Sequence, residues 1–319
     1  MGNGIGRMAF LFTQVWRLLN RIKGPLHNTM KILFVMNPTS GRNSNDAAIL
    51  AIHAVAVEKN LDFKFRYTTG EDDDTAIQRD LEWYQPDCVV ACGGDGTIQS
   101  VAASLIGKTI SLGILPLGSA NGLAKSLEIP QDTAEALALI AEAPRTRPLD
   151  LLRVNDKHLC VHLGDIGINA LLVKNYTESG DKGMIGYAKH LLTAIQQTDL
   201  MHYTITTPSG TCEKEGYMLA FANAHKYGTG VHISQGSVSD GKFEICNVQQ
   251  VDLESAIKAG LTALNVFVDK DMFSDVISCT RAHIKIDKNN HLQIDGEYIG
   301  ETNELTIEII PAAINVVVP

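Results

Sequence analysis

The chain has 319 residues, 45% of them hydrophobic and 20% charged, with a formal net charge of −9. That length and composition suit a globular protein of about two domains with a sizeable core. The acidic balance argues against wholesale nucleic-acid binding, and six cysteines without a CxxC pair argue against structural zinc or a disulfide framework, in favour of a reducing, cytoplasmic setting. No apolar run reaches the ~18–20 residues a membrane-spanning helix needs. The first residues carry neither the pattern of a secretory signal nor the Ser/Thr preferred for N-myristoylation.

Residues 1–29 hold Arg7, Arg17, Arg21 and Lys23 and no Asp or Glu. Within them, residues 8–22 place Met8, Leu11, Phe12, Val15, Leu18, Leu19 and Ile22 on one helical face, with arginines opposite. A basic amphipathic helix can lie in a membrane interface; packing on the rest of the chain and a plain extension are the other readings. From Lys31 onward, strand and helix alternate. Strands are predicted at Lys31–Met36, Asp62–Tyr67, Asp87–Ala91 and Ile110–Leu115 and helices at 45–59, after Thr69-Gly70, from Ile98, and from Asp132 to about Glu142. Asp132 with Glu135 reads as a capping box, and the acid run Glu71–Asp74 as a complement to a helix dipole. Continuous apolar strands alternating with helices indicate a parallel sheet covered on both faces.

After Pro148 the texture becomes that of an antiparallel β domain. Short strands are predicted at Leu159–Leu163, Tyr203–Thr206, Tyr217–Asn223, Phe243–Val248, His283–Ile286 and Leu292–Ile294, with helical stretches near 184–197 and 252–267. Glu304–Ile310 and Ile314–Val318 again read as strands. The domains are accordingly drawn as an amphipathic extension at 1–29, an α/β domain at 30–148 and a β-rich, sandwich-like domain after it.

The chemistry is concentrated at Cys88–Thr97, where an apolar run ends in Gly93-Gly94-Asp95-Gly96-Thr97 before a helical pattern. Glycines let backbone N–H groups approach a phosphate, and the following helix aims its positive end at that anion. A carboxylate within such a turn repels phosphate, so Asp95 points to a Mg²⁺ bridge or an active-site water. Two further polar turns, Asn37–Asn43 and Leu117–Asn121, follow strands of the same sheet and so gather at its carboxyl edge. Neither GxxxxGK[ST] nor GxGxxG occurs. Asp295-Gly296 by itself reads as a hairpin turn. Asp240 is divided between a turn and a metal role, and Asp165 reads as a loop carboxylate or a lipid-headgroup contact. The ten histidines lack ligand spacing and read as structural or surface groups.

Taken in order, Asn37-Pro38-x-Ser40-Gly41, Gly93–Thr97, Pro116–Asn121, Tyr227-Gly228-x-Gly230, Asp240-Gly241 and Asp295-Gly296-Glu297 resemble the diacylglycerol kinase catalytic superfamily of bacterial lipid kinases and sphingosine kinases. The resemblance spans about residues 31–300. It implies an ATP site in a cleft between the domains, with Mg²⁺ and a lipid bearing a free hydroxyl; the first domain, 30–148, would bind the nucleotide and be rejoined by a returning segment at 302–319, and the second, 149–301, would take the lipid. Asn37, Thr69, Gly93, Gly94, Gly96, Thr97 and Ser119 would line the nucleotide side, with Asp95 and Asp240 toward the metal. Asp295 would be the general base, Asp95 part of the catalytic machinery, and Glu297 an assistant to nucleotide or metal. Members often have Asn-Glu where Gln99-Ser100 stand and Asp where Gly122 stands. The leading expectation is an ATP-dependent lipid kinase, cytoplasmic with peripheral membrane contact, and with dimerisation through a β edge left open. An NAD kinase-like enzyme and a non-catalytic nucleotide- or lipid-binding relative are the alternatives.

Overall fold

The computed structural model describes residues 29–38, 40, 45–142, 145–179, 183–223, 226–227, 231–232, 238–249 and 273–319. The amphipathic stretch at 8–22, the helix expected at 252–267, and Gly41, Gly228 and Gly230 fall outside them. The first half runs β1 (Lys31–Met36), α1 (Asp46–Glu58), β2 (Asp62–Tyr67), α2 (Asp73–Tyr84), β3 (Cys88–Gly93), α3 (Asp95–Leu105), β4 (Ser111–Pro116), α4 (Gly122–Ser126) and α5 (Thr133–Ala141). Then follow β5 (Arg145–Val154), β6 (His158–Cys160), β7 (Leu163–Gly167), α6 (Ile168–Ser179), α7 (Gly183–Gln197), β8 (Met201–Thr207), β9 (Gly210–Gly216) and β10 (Met218–Ala222). The order closes with β11 (Lys226–Tyr227), β12 (Val231–His232), β13 (Phe243–Val248), β14 (Phe273–Cys279), β15 (Arg281–Ile294) and β16 (Glu297–Val318).

β4, β3, β1 and β2 pair in parallel in that order, and α-helical crossovers join them. Their side chains alternate between two cores. Ile32, Phe34 and Met36 pack with Ile52 of α1, while Leu33 and Val35 pack with Ile77 and Ile98 on the other face. A sheet buried on both faces is what the continuous apolar strands require. The second half is antiparallel, in the order β14-β13-β10-β7-β15-β16, with β8 and β9 appended to β15. Its interior is built from Ile166, Phe221, Phe243, Ile284, Leu292, Ile294 and Leu305.

One strand joins the halves. β16 pairs antiparallel with β15 from Glu297, turns through a register shift between Ile310 and Ile314, and ends parallel to β4 at Asn315 and Val316. The two predicted strands Glu304–Ile310 and Ile314–Val318 are thus one, as are His283–Ile286 and Leu292–Ile294 within β15. β5 was hidden from the sequence by Pro148, which reads as a break but is accommodated opposite Asn315. α6 is absent from the predicted elements: Ile168 follows Gly167, the last residue of β7, with no polar capping residue between them. α3 buries Ile98, Val101, Ala102 and Leu105 on one face; Ile106 sits beyond its last turn and is 37% exposed. All six cysteines are free. Among the described residues no helix is long and apolar enough to cross a membrane.

Candidate active site

β1, β3 and β4 end level with one another: Met36 pairs with Cys92, and Gly93 with Pro116. The three polar turns therefore leave one edge side by side. The second and third touch backbone to backbone. A Cβ built on Gly118 would lie 2.5 Å from the Cα of Gly94 and 2.8 Å from Oδ1 of Asn121. A Cβ on Gly93 would collide with Oγ1 of Thr97 and lie 3.1 Å from Oγ of Ser40. These glycines are set by close approach, not by positive φ. Gly118→Ala is expected to lower stability by about 1–3 kcal/mol through overpacking. Gly96→Ala should do less, because its Cβ would meet only the end of the flexible Glu297 side chain at 3.3 Å. Thermal unfolding of the two variants, side by side, checks the order.

A cleft of about 510 Å³ opens over these turns, lined among others by Asn37, Thr69, Gly94, Gly96, Thr97 and Glu297. Gly93 forms its buried floor strand, while Ser119 is an exposed residue of the turn beside the lining Gly118. The first-turn N–H groups of α3, those of Asp95, Gly96 and Thr97, have no carbonyl within the helix to reach. Asp73 and Glu297 also line the cleft, and among its described lining residues there is no Lys or Arg. Asp73 is occupied at its own helix start, where it accepts N–H groups from Thr69 at 2.9 Å and Gly70 at 2.8 Å. A larger open groove of about 780 Å³, lined by His202, Glu213, Lys285 and their neighbours, shares no residue with this cleft.

Asp95 opens α3, and its carboxylate accepts the N–H groups of Gly122 at 3.0 Å and Leu123 at 3.1 Å, so it also holds the start of α4. Asp295 arrives from the β15–β16 hairpin. Ile294 pairs with Glu297 around a two-residue turn in which Asp295 has φ +50° and Gly296 φ +86°. Both central residues at positive φ is the geometry of the tight hairpin that Asp-Gly favours. The hairpin and the functional readings are therefore compatible, because β15 also pairs with β7 and brings the turn against residues 161–163. There the Asp295 carboxylate accepts N–H groups from Val161 (2.7 Å), His162 (2.9 Å) and Leu163 (3.0 Å). The Gln99 amide of α3 reaches it at 3.3 Å and the Leu159 carbonyl at 2.6 Å. Burial pushes the Asp295 carboxyl up to about 6, against the lowering pull of those three N–H groups, and the nearby Asp95 charge adds to the rise. Glu297, two residues on, overhangs Gly96.

The two departures at Gln99-Ser100 thus have partners. Gln99 bridges to Asp295, and the Ser100 hydroxyl donates to Asp74 at 2.7 Å, presenting a carboxylate from α2 beside the cleft. Asp240 is exposed in the turn after Val238, where it accepts the Lys242 N–H at 3.0 Å. The buried Asp150 fixes that turn by accepting the Gly241 N–H at 2.7 Å and the Ala312 N–H at 2.6 Å. Asp165 is not a loop carboxylate. It is fully buried in β7, held by the amides of Gln293 and, at 2.6 Å, of Asn169. His162, which the spacing of the histidines gave no reason to single out, is buried, with its backbone N–H on Asp295 and its ring near Asp95. Burial lowers its imidazole to about 4.

Among the described residues no three His, Cys, Asp or Glu side chains gather around one point. Mg²⁺ held by substrate phosphates needs only one or two protein carboxylates. The donor set fits that mode: Asp95 keeps lone pairs beyond its two N–H bonds, and the buried Oδ1 of Asn121, beside the Gly118–Gly94 contact, has no hydrogen-bond partner among the described residues.

The diacylglycerol kinase catalytic domain model matches residues 31–154, and the model of the YegS C-terminal NAD kinase beta sandwich-like domain matches residues 166–318. A probable lipid kinase YegS-like from Klebsiella pneumoniae is 30% identical over 255 residues, covering 77% of each chain. A protein of the same name from Pseudomonas aeruginosa is 31% identical over 221 residues, covering 67% of this chain and 71% of its own. Two crystal structures of Bacillus anthracis proteins, titled a diacylglycerol kinase and a putative diacylglycerol kinase, share the fold. They superpose with TM-scores of 0.68 and 0.70 at 19% and 21% identity, covering 92% of this chain and 98% and 99% of theirs. With the glycine cleft, the Asp-Gly hairpin and both domain models in the same order, the chain belongs to the YegS-like lipid kinases that carry a diacylglycerol kinase catalytic domain.

Proposed function

We propose that the chain transfers the γ-phosphate of ATP to the hydroxyl of a lipid, diacylglycerol or a related molecule. The observation that carries this reading is that Asp295 of the second half meets Gln99 of α3, the helix that Asp95 opens, and feels the Asp95 charge, beside a cleft lined by glycine backbone. The triphosphate lies over Gly94–Thr97, held by first-turn N–H groups of α3. Asp95, with Asp240 as the second candidate, would hold Mg²⁺, which would neutralise phosphate charge in a cleft without Lys or Arg among its described lining residues. Asn37, Thr69 and Ser119 bound the nucleotide, and Glu297 orients it from above Gly96.

Asp295 takes the proton of the acceptor hydroxyl as that oxygen bonds to the γ-phosphorus; the bond from phosphorus to the bridging oxygen breaks, and ADP leaves with the pair. Phosphoryl transfer asks little more of a protein than alignment, charge neutralisation and this one base. The three backbone donors aim the carboxylate, and the long Gln99 contact is the one an incoming hydroxyl can replace.

The test is a panel of lipid alcohols and NAD incubated with labelled ATP, with and without EDTA. The expected result is label in a lipid, lost on chelation. Label in NAD instead would move the chain to a different reaction, and nucleotide binding without acceptor-dependent ADP release would mark a non-catalytic relative.

A further inference from the structure

His162 lies on the link from β6 to β7 and is only 5% exposed; its backbone N–H meets Asp295, and its ring feels the charge of Asp95. Its ring crosses to the other half of the molecule, where Nε2 meets the Ser126 hydroxyl of α4 at 2.9 Å. The ring also covers Gly122, whose Cβ, if present, would lie 3.2 Å from Nδ1 and 3.3 Å from Cε1. Gly122 is the first residue of α4 and is not among the glycines at positive φ. Its backbone would accept alanine, which favours helix more than glycine does. A Cβ there would press on the His162 ring, which would have to give by a few tenths of an ångström.

The same few residues reach both acids. Asp95 is held by the N–H groups of Gly122 and Leu123, three residues from Ser126, and Asp295 by the N–H of His162 itself. From behind, the His162 carbonyl accepts the Asn223 N–H at 3.1 Å. The Asn223 side chain is in turn bonded to the carbonyls of Asp150 and Val238. The peptide that cages Asp295 is thus anchored on one side to the second half and, through the imidazole, on the other to α4.

We propose that His162 is a positioning residue of the transfer site: its ring, seated on Gly122 and bonded to Ser126, sets the placement of Asp295 relative to Asp95. This rests on the kinase reading above. A ring that merely filled space would affect folding and leave the rate of the folded protein alone. A ring that sets the spacing acts on kcat, since misplacing a reacting group by about 1 Å can lower a rate on the order of 10²-fold.

The experiment is a double-mutant cycle in the full chain. His162→Ala is expected to lower kcat about 10–100-fold with KM for ATP unchanged, and His162→Gln, whose amide can reach Ser126, to regain part of it. Gly122→Ala should lower kcat in the wild-type background and add nothing in His162→Ala, where the ring it strikes is gone. Should His162→Ala fail to fold, Ser126→Ala removes the bond while keeping the ring, and is expected to lower kcat at constant KM. Full kcat in His162→Ala or Ser126→Ala, or an equal loss from Gly122→Ala in both backgrounds, overturns the proposal. A wild-type chain with no lipid turnover sinks the kinase reading alone. The cycle is then read in the ¹³Cγ resonance of Asp295, which Gly122→Ala and Ser126→Ala should each move; an unmoved resonance overturns the positioning role.

Discussion

Replacing Asp295 by Asn is expected to lower lipid-dependent turnover by about 10²–10⁴-fold, the range a positioned general base supplies. The same change should lower stability by about 1–3 kcal/mol, because an amide keeps one acceptor oxygen for two N–H groups of the cage and turns an NH₂ toward two donors, the Val161 N–H and the Gln99 amide. Turnover and thermal unfolding measured on the same sample separate the two effects, and an Asp295→Asn variant with full turnover removes the residue from the chemistry. The pH dependence gives a second signature. A base must be ionised to act, and burial pushes the Asp295 carboxyl up to about 6. In the wild type, kcat/KM should therefore rise with pH along a limb near 6 and level off above it. Stability runs the other way. Between the unfolded carboxyl near ~3.9 and the folded value of about 6, the folded chain holds a proton that the unfolded chain has lost. The contribution of this group to stability accordingly falls as pH rises through that window. The Asp295→Asn substitution should erase both dependences.

Asp95→Asn is expected to lower kcat by about 10²–10³-fold, the size of effect seen when a charge-stabilising group is taken from a transfer site. An amide there can still cap α4 through its one oxygen. The cost to the fold is therefore that of a weakened cap, about 1 kcal/mol, since the carboxylate serves both Gly122 and Leu123. What the amide cannot do is meet a cation with full charge in a cleft without Lys or Arg among its described lining residues. Titrating Mg²⁺ against turnover checks this: the variant should need far more metal for what activity remains. Wild-type metal dependence in the Asp95→Asn variant would assign Asp95 to the fold alone.

Much of the site was legible because short-range chemistry writes it directly. Glycine clusters after apolar strands announce tight turns, and parallel strands in register bring such turns to one edge; Asn37, Gly94 and Thr97 were found that way and do line one cleft. Asp295-Gly296 was equally legible as a hairpin, since its positive φ values are a local requirement. The sequence also announced the change from parallel to antiparallel texture. It misdrew β5, whose Pro148 looks like a stop, and it broke β15 and β16 into pieces where polar residues interrupt the alternation.

By itself, then, the sequence determined the change from parallel to antiparallel texture and the three turns of the cleft, because strand periodicity and glycine turns depend on neighbours along the chain. Only the tertiary structure decided that Asp295 is caged by 161–163, that Gln99 and Ser100 have partners, that Asp165 is a buried strand residue, and that His162 fills the space over Gly122. The partners of Ser100 and Gln99 lie 26 and 196 positions away along the chain. Such contacts are set by how α2, α3 and the β15–β16 hairpin pack against one another, and no local pattern records that packing.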